Sequence, residues 1–515
     1  MTPRRLRAVA LGVAVSLGAG CATARPGVPA GPAAAPPETA PASASAPAPV
    51  EGRESSLSRA IDEALASPAF ARASVGLVVQ SLATGRTLYR RNGQTWLVPA
   101  STMKVLTAVA AAERLGWGYR FETRLVAMGP TVDGVLDGDL LVVGTGDPTI
   151  NRRHPSRVDA LDAWAAALRD RGIRRIAGRV IGDDRLVEPL GWGIGWAWDD
   201  LVEDYGAAYG ALQYNENVVG LTVGPGITPG APPVLYLSPA EHGLLVDLRA
   251  TTAPEGTPAS FSALRQPGTR LLEIRGQVPL DGPPMSTTVA VPDPARFFAG
   301  QLRQALLRHG IEVSGAGIDV EDADDPPRAS DGTTLLVDQS APLSEIAAQM
   351  LAWSINLYAE TLVVALDQTP PASAVDGLEV LRSTLEALGV PRATYLARDG
   401  SGLSRNDYLS ADALVAALTA AWHSPRLRGP LVAALPFAGG PGTLQRRLAG
   451  TPAAGRVRAK TGSMSNVRSL AGYVDTLTGE PLVFAFLANG FDVRPTEIDA
   501  GVDALLQALV ALPPD

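Results

Sequence analysis

Two lysines, Lys104 and Lys460, stand among 44 strongly basic residues; all the others are arginine. An arginine guanidinium stays charged in proteins, whereas a lysine amine can lose its proton when buried or set beside another cation. Both lysines also fall in short motifs. Lys104 closes Ser101-Thr102-Met103-Lys104, and Lys460 opens Lys460-Thr461-Gly462. Between them lies Ser354-Ile355-Asn356. Singly, each motif is weak: a capped helix with a surface lysine, a polar patch on a core helix and a solvated strand end would read the same. In this order, and with both lysines used, they describe nucleophilic acyl transfer. A hydroxyl three residues before an amine shares its helix face, so the amine can take the hydroxyl's proton. The helix start adds N–H groups and a positive dipole end for an oxyanion. Ser354 and Asn356 can relay a proton and hold a substrate amide, and Gly462 lets a substrate backbone approach its strand.

These groups need elements to carry them. Apolar spacing predicts a helix over Leu57–Ala71, strands at Ser74–Ser81 and from Thr87, and a helix from Ala100 to about Leu115, ended by Gly116. From about Phe121 the texture changes to short β-like runs rich in Gly and Pro. Leu136–Val143 and Arg179–Asp183 read as strands, Val158–Arg171 and Ala295–His309 as helices, and Val218–Thr288 as alternating short strands. Helical character returns over Leu343–Leu366, which carries Ser354 and Asn356, then over Val375–Leu388 and Ala411–Trp422. Arg456–Gly462 is a strand, Ser469–Asp475 and Leu482–Asn489 a hairpin, and Thr496–Leu512 a closing helix. Strands and helices at both chain ends make an α+β core divided by an insert.

The totals exclude some classes. The 515 residues carry a formal charge of −8 with no basic stripe, which argues against nucleic-acid binding. The four histidines, His154, His242, His309 and His423, are isolated, lack metal-ligand spacing and have no G-x-S-x-G elbow; solvated or capping roles fit each. No motif calls for a cofactor or a metal. The single cysteine, Cys21, follows Arg4, Arg5, Arg7 and an apolar stretch too short to span a bilayer, which reads as a secretory leader. Leu17–Cys21 is similar to a bacterial lipobox, with Gly18 where a larger aliphatic residue is usual. Cleavage after Ala22-Thr23-Ala24, giving a soluble periplasmic protein, is the rival; the lipoprotein is preferred. Residues 25–50 are mostly Pro, Ala, Ser and Gly, the composition of an extended tether.

The three motifs, with Ser-Asp-Asn in the middle, occur together in class A β-lactamases and penicillin-binding proteins; here Ile355 replaces the aspartate. The chain resembles the low-molecular-mass class C penicillin-binding proteins, the D-alanyl-D-alanine carboxypeptidase/endopeptidase group. Thr145–Thr149, Gly195–Asp200, Asp399–Arg405 and Ala459–Val474 carry the resemblance further, as does the long insert. It implies an α+β transpeptidase/β-lactamase-like core, an antiparallel sheet flanked by helices, with two β-rich domains nested in it. The expected boundaries are 1–21 for a signal peptide, 22–55 for a disordered linker, 56–120 and 338–515 for the catalytic domain, 121–217 and 289–337 for the inserted domain, and 218–288 for the nested one.

The resemblance also implies roles. Ser101 would be the acylated nucleophile and Lys104 its base as a neutral amine, with Lys460 helping to lower its pKa. Ser354 would carry the proton to the leaving amine, and Asn356 would bind the substrate amide. Lys460 and Thr461 would hold the terminal carboxylate, and the N–H groups of Ser101 and Ser463 would form the oxyanion hole. Asp200 would take a free amine on a diaminopimelate-type side chain, with Met464 beside it. Asp399 and Ser401 have no assigned role. The partners implied are peptidoglycan peptides ending in D-Ala-D-Ala or D-Ala-diaminopimelate, β-lactams as inhibitors, and a membrane only through a lipid on Cys21 in the periplasm. A serine β-lactamase and a non-catalytic wall-binding lipoprotein are the alternatives; the first would need a dedicated deacylating group, which no loop supplies.

Overall fold

A five-stranded antiparallel sheet underlies the site. Its order is Thr87–Arg91, Ser74–Ser81, Pro481–Asn489, Val467–Asp475, Val457–Met464. The computed structural model describes residues 52–514 apart from 152, 155, 189 and 190. The expected leader, the Cys21 lipidation site and nearly all of the expected linker lie outside the described residues. Folding begins earlier than Ser56: Arg53–Leu65 is a helix, and Arg53 pairs with Glu480.

Successive side chains of a strand point to opposite faces, and both faces of this sheet are covered. Leu482, Phe484, Phe486 and Ala488 pack with Ile61, Leu65, Val502, Leu505 and Leu509, which come from the helices Arg53–Leu65 and Pro495–Val510. Val483, Ala485 and Leu487 join the opposite cluster with Leu106, Val109, Leu362, Leu414 and Leu418. The helices on that side include Met103–Leu115, Asn356–Leu366 and Ala411–His423. Both chain ends thus build one core, and the helix bearing Lys104 lies in its apolar layer.

The chain leaves and re-enters this core at one place. The backbone N–H of Phe121 donates to Ser340 Oγ at 2.9 Å, and the Ser340 N–H to the Phe121 carbonyl at 2.9 Å. Between them a second five-stranded sheet has the order Gly317–Asp319, Val180–Asp183, Asp139–Gly144, Glu122–Met128, Thr333–Gln339. Its last strand continues through Gln339, past the expected junction at 337/338. The helices Ala160–Asp170 and Pro294–Arg308 cover one face. Strands from Val218–Gly224 to Met285–Ala290 form two more sheets, joined through Val219, Leu221, Leu272 and Ile274.

Two expected elements are interrupted. Leu136–Val143 is two strands, Val135–Leu136 and Asp139–Gly144, parted at Asp137-Gly138, where Gly138 has φ 157°. Leu343–Leu366 is two helices, Leu343–Trp353 and Asn356–Leu366, with Ser354 left-handed at φ 64°, ψ 35°. The second break shapes the site. Among the histidines, His154 is not solvated; it is buried, its ring facing Ser156 Oγ.

Candidate active site

The segment before Ser101 is clamped to the sheet. Asn489 accepts from the Val98 N–H at 2.7 Å and donates back to its carbonyl at 3.1 Å. The Pro99 carbonyl accepts from Ser469 Oγ at 2.5 Å and from Thr102 Oγ1 at 2.8 Å. Ala100, fully buried at φ 46°, then turns the chain into a single 3-10 turn, Ala100–Thr102, and the helix Met103–Leu115. A non-glycine residue in that region is uncommon and costs free energy. Here the strained turn sets Ser101 at the helix start.

Gly462 serves this clamp. A Cβ on it would lie 2.1 Å from Ser469 Oγ, 2.7 Å from the Pro99 carbonyl and 3.1 Å from the Ser101 nitrogen. The protein's own backbone needs this space.

Lys104 is fully buried, and its Nζ has three neighbours: Asn356 Oδ1 at 2.6 Å, the Ser401 carbonyl at 2.8 Å and Ser101 Oγ at 2.9 Å. Burial pulls the amine down to about 7, against the opposing charges of Asp399, Glu360 and Asp407. Desolvation, rather than the expected charge of Lys460, is the cause. The influence runs the other way: Lys460, also fully buried, is held well below the usual lysine range by burial first and the charge of Lys104 second. A neutral amine has two N–H donors and one lone pair. Asn356 Oδ1 and the Ser401 carbonyl can only accept, so they take both donors. The lone pair is left facing the Ser101 hydroxyl, the arrangement of a general base.

The helix break places Ser354. In the left-handed conformation it caps one helix while Asn356 starts the next, and Lys460 Nζ donates to Ser354 Oγ at 2.9 Å and to the Thr461 carbonyl at 2.6 Å. Asn356 was expected to hold a substrate amide. Its Oδ1 is engaged by Lys104 and one Nδ2 hydrogen by the Tyr205 carbonyl at 2.8 Å, which leaves the second Nδ2 hydrogen for a substrate carbonyl in the cavity it lines. It fixes the amine and, through Tyr205, the insert.

A cavity of about 530 Å³ opens over these groups. Ser101, Ser354, Asn356, Ser463, Asp200 and Met464 line it. Asp200 Oδ1 accepts from the Tyr205 hydroxyl at 2.9 Å. Lys460 and Thr461 are not part of this lining; Lys460 is fully buried and Thr461 half-buried. The cavity also reaches Tyr205, which the sequence reading missed, and Leu403, Arg405 and Arg468, which lie in the stretches that carry the resemblance but had been given no role.

The loop left without a role is a structural hub. Asp399 accepts from the N–H groups of Gly402 and Ser404, each at 2.6 Å, and from Trp196 Nε1 at 2.8 Å. Ser404 Oγ donates to the Ile194 carbonyl at 2.7 Å. The insert segment that carries Asp200 is therefore fastened to the loop that supplies the Ser401 carbonyl. Glu360, behind that loop, was also missed; its one signal is a position four residues after Asn356, on the same helix face.

A hydroxyl 2.9 Å from a buried amine is the arrangement of a serine nucleophile beside a base, and the sheet with its flanking helices is the core of a penicillin-binding protein. The chain belongs to the D-Ala-D-Ala carboxypeptidase 3 (S13) family, which matches residues 57–509, and is a serine-type D-Ala-D-Ala carboxypeptidase. It is 35% identical over 452 residues to the D-alanyl-D-alanine carboxypeptidase of Actinomadura sp. (strain R39), covering 85% of this chain and 82% of that one. The crystal structure of penicillin-binding protein 4 (dacB) from Haemophilus influenzae superposes with a TM-score of 0.75 at 26% identity, over 87% of this chain and 98% of that one. The same protein complexed with a β-lactam gives 0.70 at 25% identity, over 89% and 98%.

Proposed function

We propose that Ser101 forms an acyl-enzyme with peptidoglycan stem peptides, releasing terminal D-alanine and opening D-Ala-diaminopimelate cross-links. The observation that carries this is Lys104: buried, poised near neutrality, and 2.9 Å from Ser101 Oγ. Ser101 Oγ attacks the carbonyl of the penultimate D-alanine while its proton passes to Lys104. The N–H groups of Ser101 and Ser463 take the oxyanion. Collapse breaks the C–N bond, and Ser354, bonded to Lys460, relays the proton taken up by Lys104 to the leaving amine, which leaves the Ser354 hydroxyl intact and Lys104 neutral again. Water then attacks the ester by the same route in reverse.

Burial makes Lys460 disfavour its own charge. A substrate carboxylate would supply the countercharge and restore the cation, so the terminal carboxylate is read as the partner of Lys460 and Thr461. The outer edge of Val457–Met464 is backbone-paired as far as Ala459 among the described residues, which leaves the stretch beyond it for an extended peptide. Asp200, with Met464 lining the same cavity, suits the free amine of a diaminopimelate-type side chain. β-Lactams would acylate Ser101 by ring opening. Of the described residues lining the cavity Asp200 is the one acid, and Tyr205 engages it. That favours slow deacylation over β-lactamase turnover.

The leader, Cys21 and the Pro/Ala-rich tether support a periplasmic lipoprotein held to a bacterial membrane; mass spectrometry of the mature N-terminus tests that. The activity is tested by chromatography of muropeptides after digestion of purified wall. Wild type should release D-alanine and deplete cross-linked dimers, and Ser101→Ala should do neither. Unchanged muropeptides with the wild-type protein would overturn the reading.

A further inference from the structure

Glu360 takes no part in the chemistry above, yet it is a carboxyl with 1% exposure on the helix that begins at Asn356. Its Oε1 accepts from the Ser401 N–H at 2.8 Å, and its Oε2 from the Gly400 N–H at 3.0 Å. The carbonyls of the same two residues point the other way, toward the helix Met103–Leu115. The Gly400 carbonyl accepts from Thr107 Oγ1 at 2.6 Å, and the Ser401 carbonyl from Lys104 Nζ at 2.8 Å. The loop backbone is thus held between an acid on one helix and a hydroxyl and an amine on another. Gly400 itself abuts the Glu360 helix: a Cβ there would lie 2.5 Å from Val363 Cγ2 and 2.8 Å from the Ala359 carbonyl.

We propose that Glu360 is a positioning residue for Lys104. By holding the N–H groups of Gly400 and Ser401 it keeps the Ser401 carbonyl on Lys104 Nζ, so the lone pair of the neutral amine has no direction left but Ser101. Asn356 and Glu360, one turn apart on one helix, fix the two N–H groups of the base, the first directly and the second through a peptide. This rests on Lys104 being the base. The charged groups facing Lys104 are Glu360 on its helix, Asp399 and Asp407 in the loop region, and Lys460 on the edge strand. Burial raises the Glu360 carboxyl itself to about 8, so across the limb near pH 7 it acts through the peptide it holds rather than as a charge. The carbonyl acceptor favours the ammonium form, and its loss therefore lowers the pKa of the amine.

The test is acylation of the full chain by a fluorescent penicillin across about pH 5 to 10, in wild type and Glu360→Gln. The amide keeps the shape but presents a donor to one of the two N–H groups. The maximal acylation rate should fall roughly tenfold or more, with non-covalent affinity for the penicillin within about twofold of wild type. The rising limb of the profile should move to lower pH by about half a unit or more. A change that merely loosened the fold would lower the labelled fraction and leave the limb in place. A limb at the wild-type pH, or a loss confined to affinity, overturns the proposal. If the variant does not fold, a crystal structure of the wild type decides: the Ser401 carbonyl on Nζ upholds the proposal, and a carbonyl turned away from it overturns it. Wild type that is never acylated at Ser101 would instead overturn the assignment of the site.

Discussion

Asn356 Oδ1 lies 2.6 Å from Lys104 Nζ, and this contact makes an amide from the second motif the orienting group of the base in the first. An amide oxygen takes an N–H without adding charge. A carboxylate in its place would favour the ammonium. Lys104 sits at about 7 and must be neutral to act, so activity rises with pH through that value. Asn356→Asp should move the rising limb to higher pH by about one unit or more. A pH–rate profile of penicillin acylation checks this; a limb at the wild-type position would contradict it.

Burying Lys104 opposes stability. Between about pH 7 and 10.5 the unfolded chain holds a proton on this amine that the folded chain lacks, so stability rises with pH across that window. Below pH 7 the cost is constant, and above 10.5 it vanishes. Lys104→Met should therefore be inactive yet more stable than wild type at pH 7, by about 2–4 kcal/mol after the lost hydrogen bonds are counted. The gap should close as pH rises toward 10. Denaturant unfolding of both proteins at several pH values measures it, and parallel curves would contradict the account.

Gly462 lies where a side chain would strike the support of Ser101. Gly462→Ala should lower acylation roughly a hundredfold, through displacement of the nucleophile. Its nearest clash is with Ser469 Oγ, at 2.1 Å. Adding Ser469→Ala should restore part of the loss, and the Pro99 carbonyl, at 2.7 Å, should prevent full recovery. Rates for the single and double variants decide.

Ser354 holds a left-handed backbone, which costs a non-glycine residue about 1–3 kcal/mol. Ser354→Gly should relieve part of that strain and raise unfolding stability by about 1 kcal/mol. It should also lower D-alanine release roughly 10²–10⁴-fold, because the proton route to the leaving amine is gone. Thermal unfolding and product release, measured on the same preparation, separate the two effects.

The three motifs and the return of the core after the insert could be read from the letters, because hydrophobic periodicity and helix and strand ends are local properties. The break at Ser354 could not. Leu343–Leu366 is apolar with a continuous helical period, and the break sets Ser354 Oγ 2.9 Å from Lys460 Nζ, a contact the sequence does not encode locally. The position of Gly462 was legible as a close approach, but what approaches it belongs to Pro99 and Ser101, in a distant stretch. The pKa of Lys104 was expected low, with Lys460 named as a help; that burial among Asn356, Ser401 and the apolar layer is what lowers it is a tertiary fact. Glu360 and Asp399 were invisible as partners for the same reason. Their ligands are backbone N–H groups, which every residue but proline carries.

The account stands most directly on a neutral lysine facing Ser101. Lys104→Arg keeps a cation of similar length that does not give up its proton. With folding confirmed by circular dichroism, labelled penicillin should leave no adduct on Ser101 in this variant while wild type is acylated. Labelling of Lys104→Arg at the wild-type rate would contradict the claim.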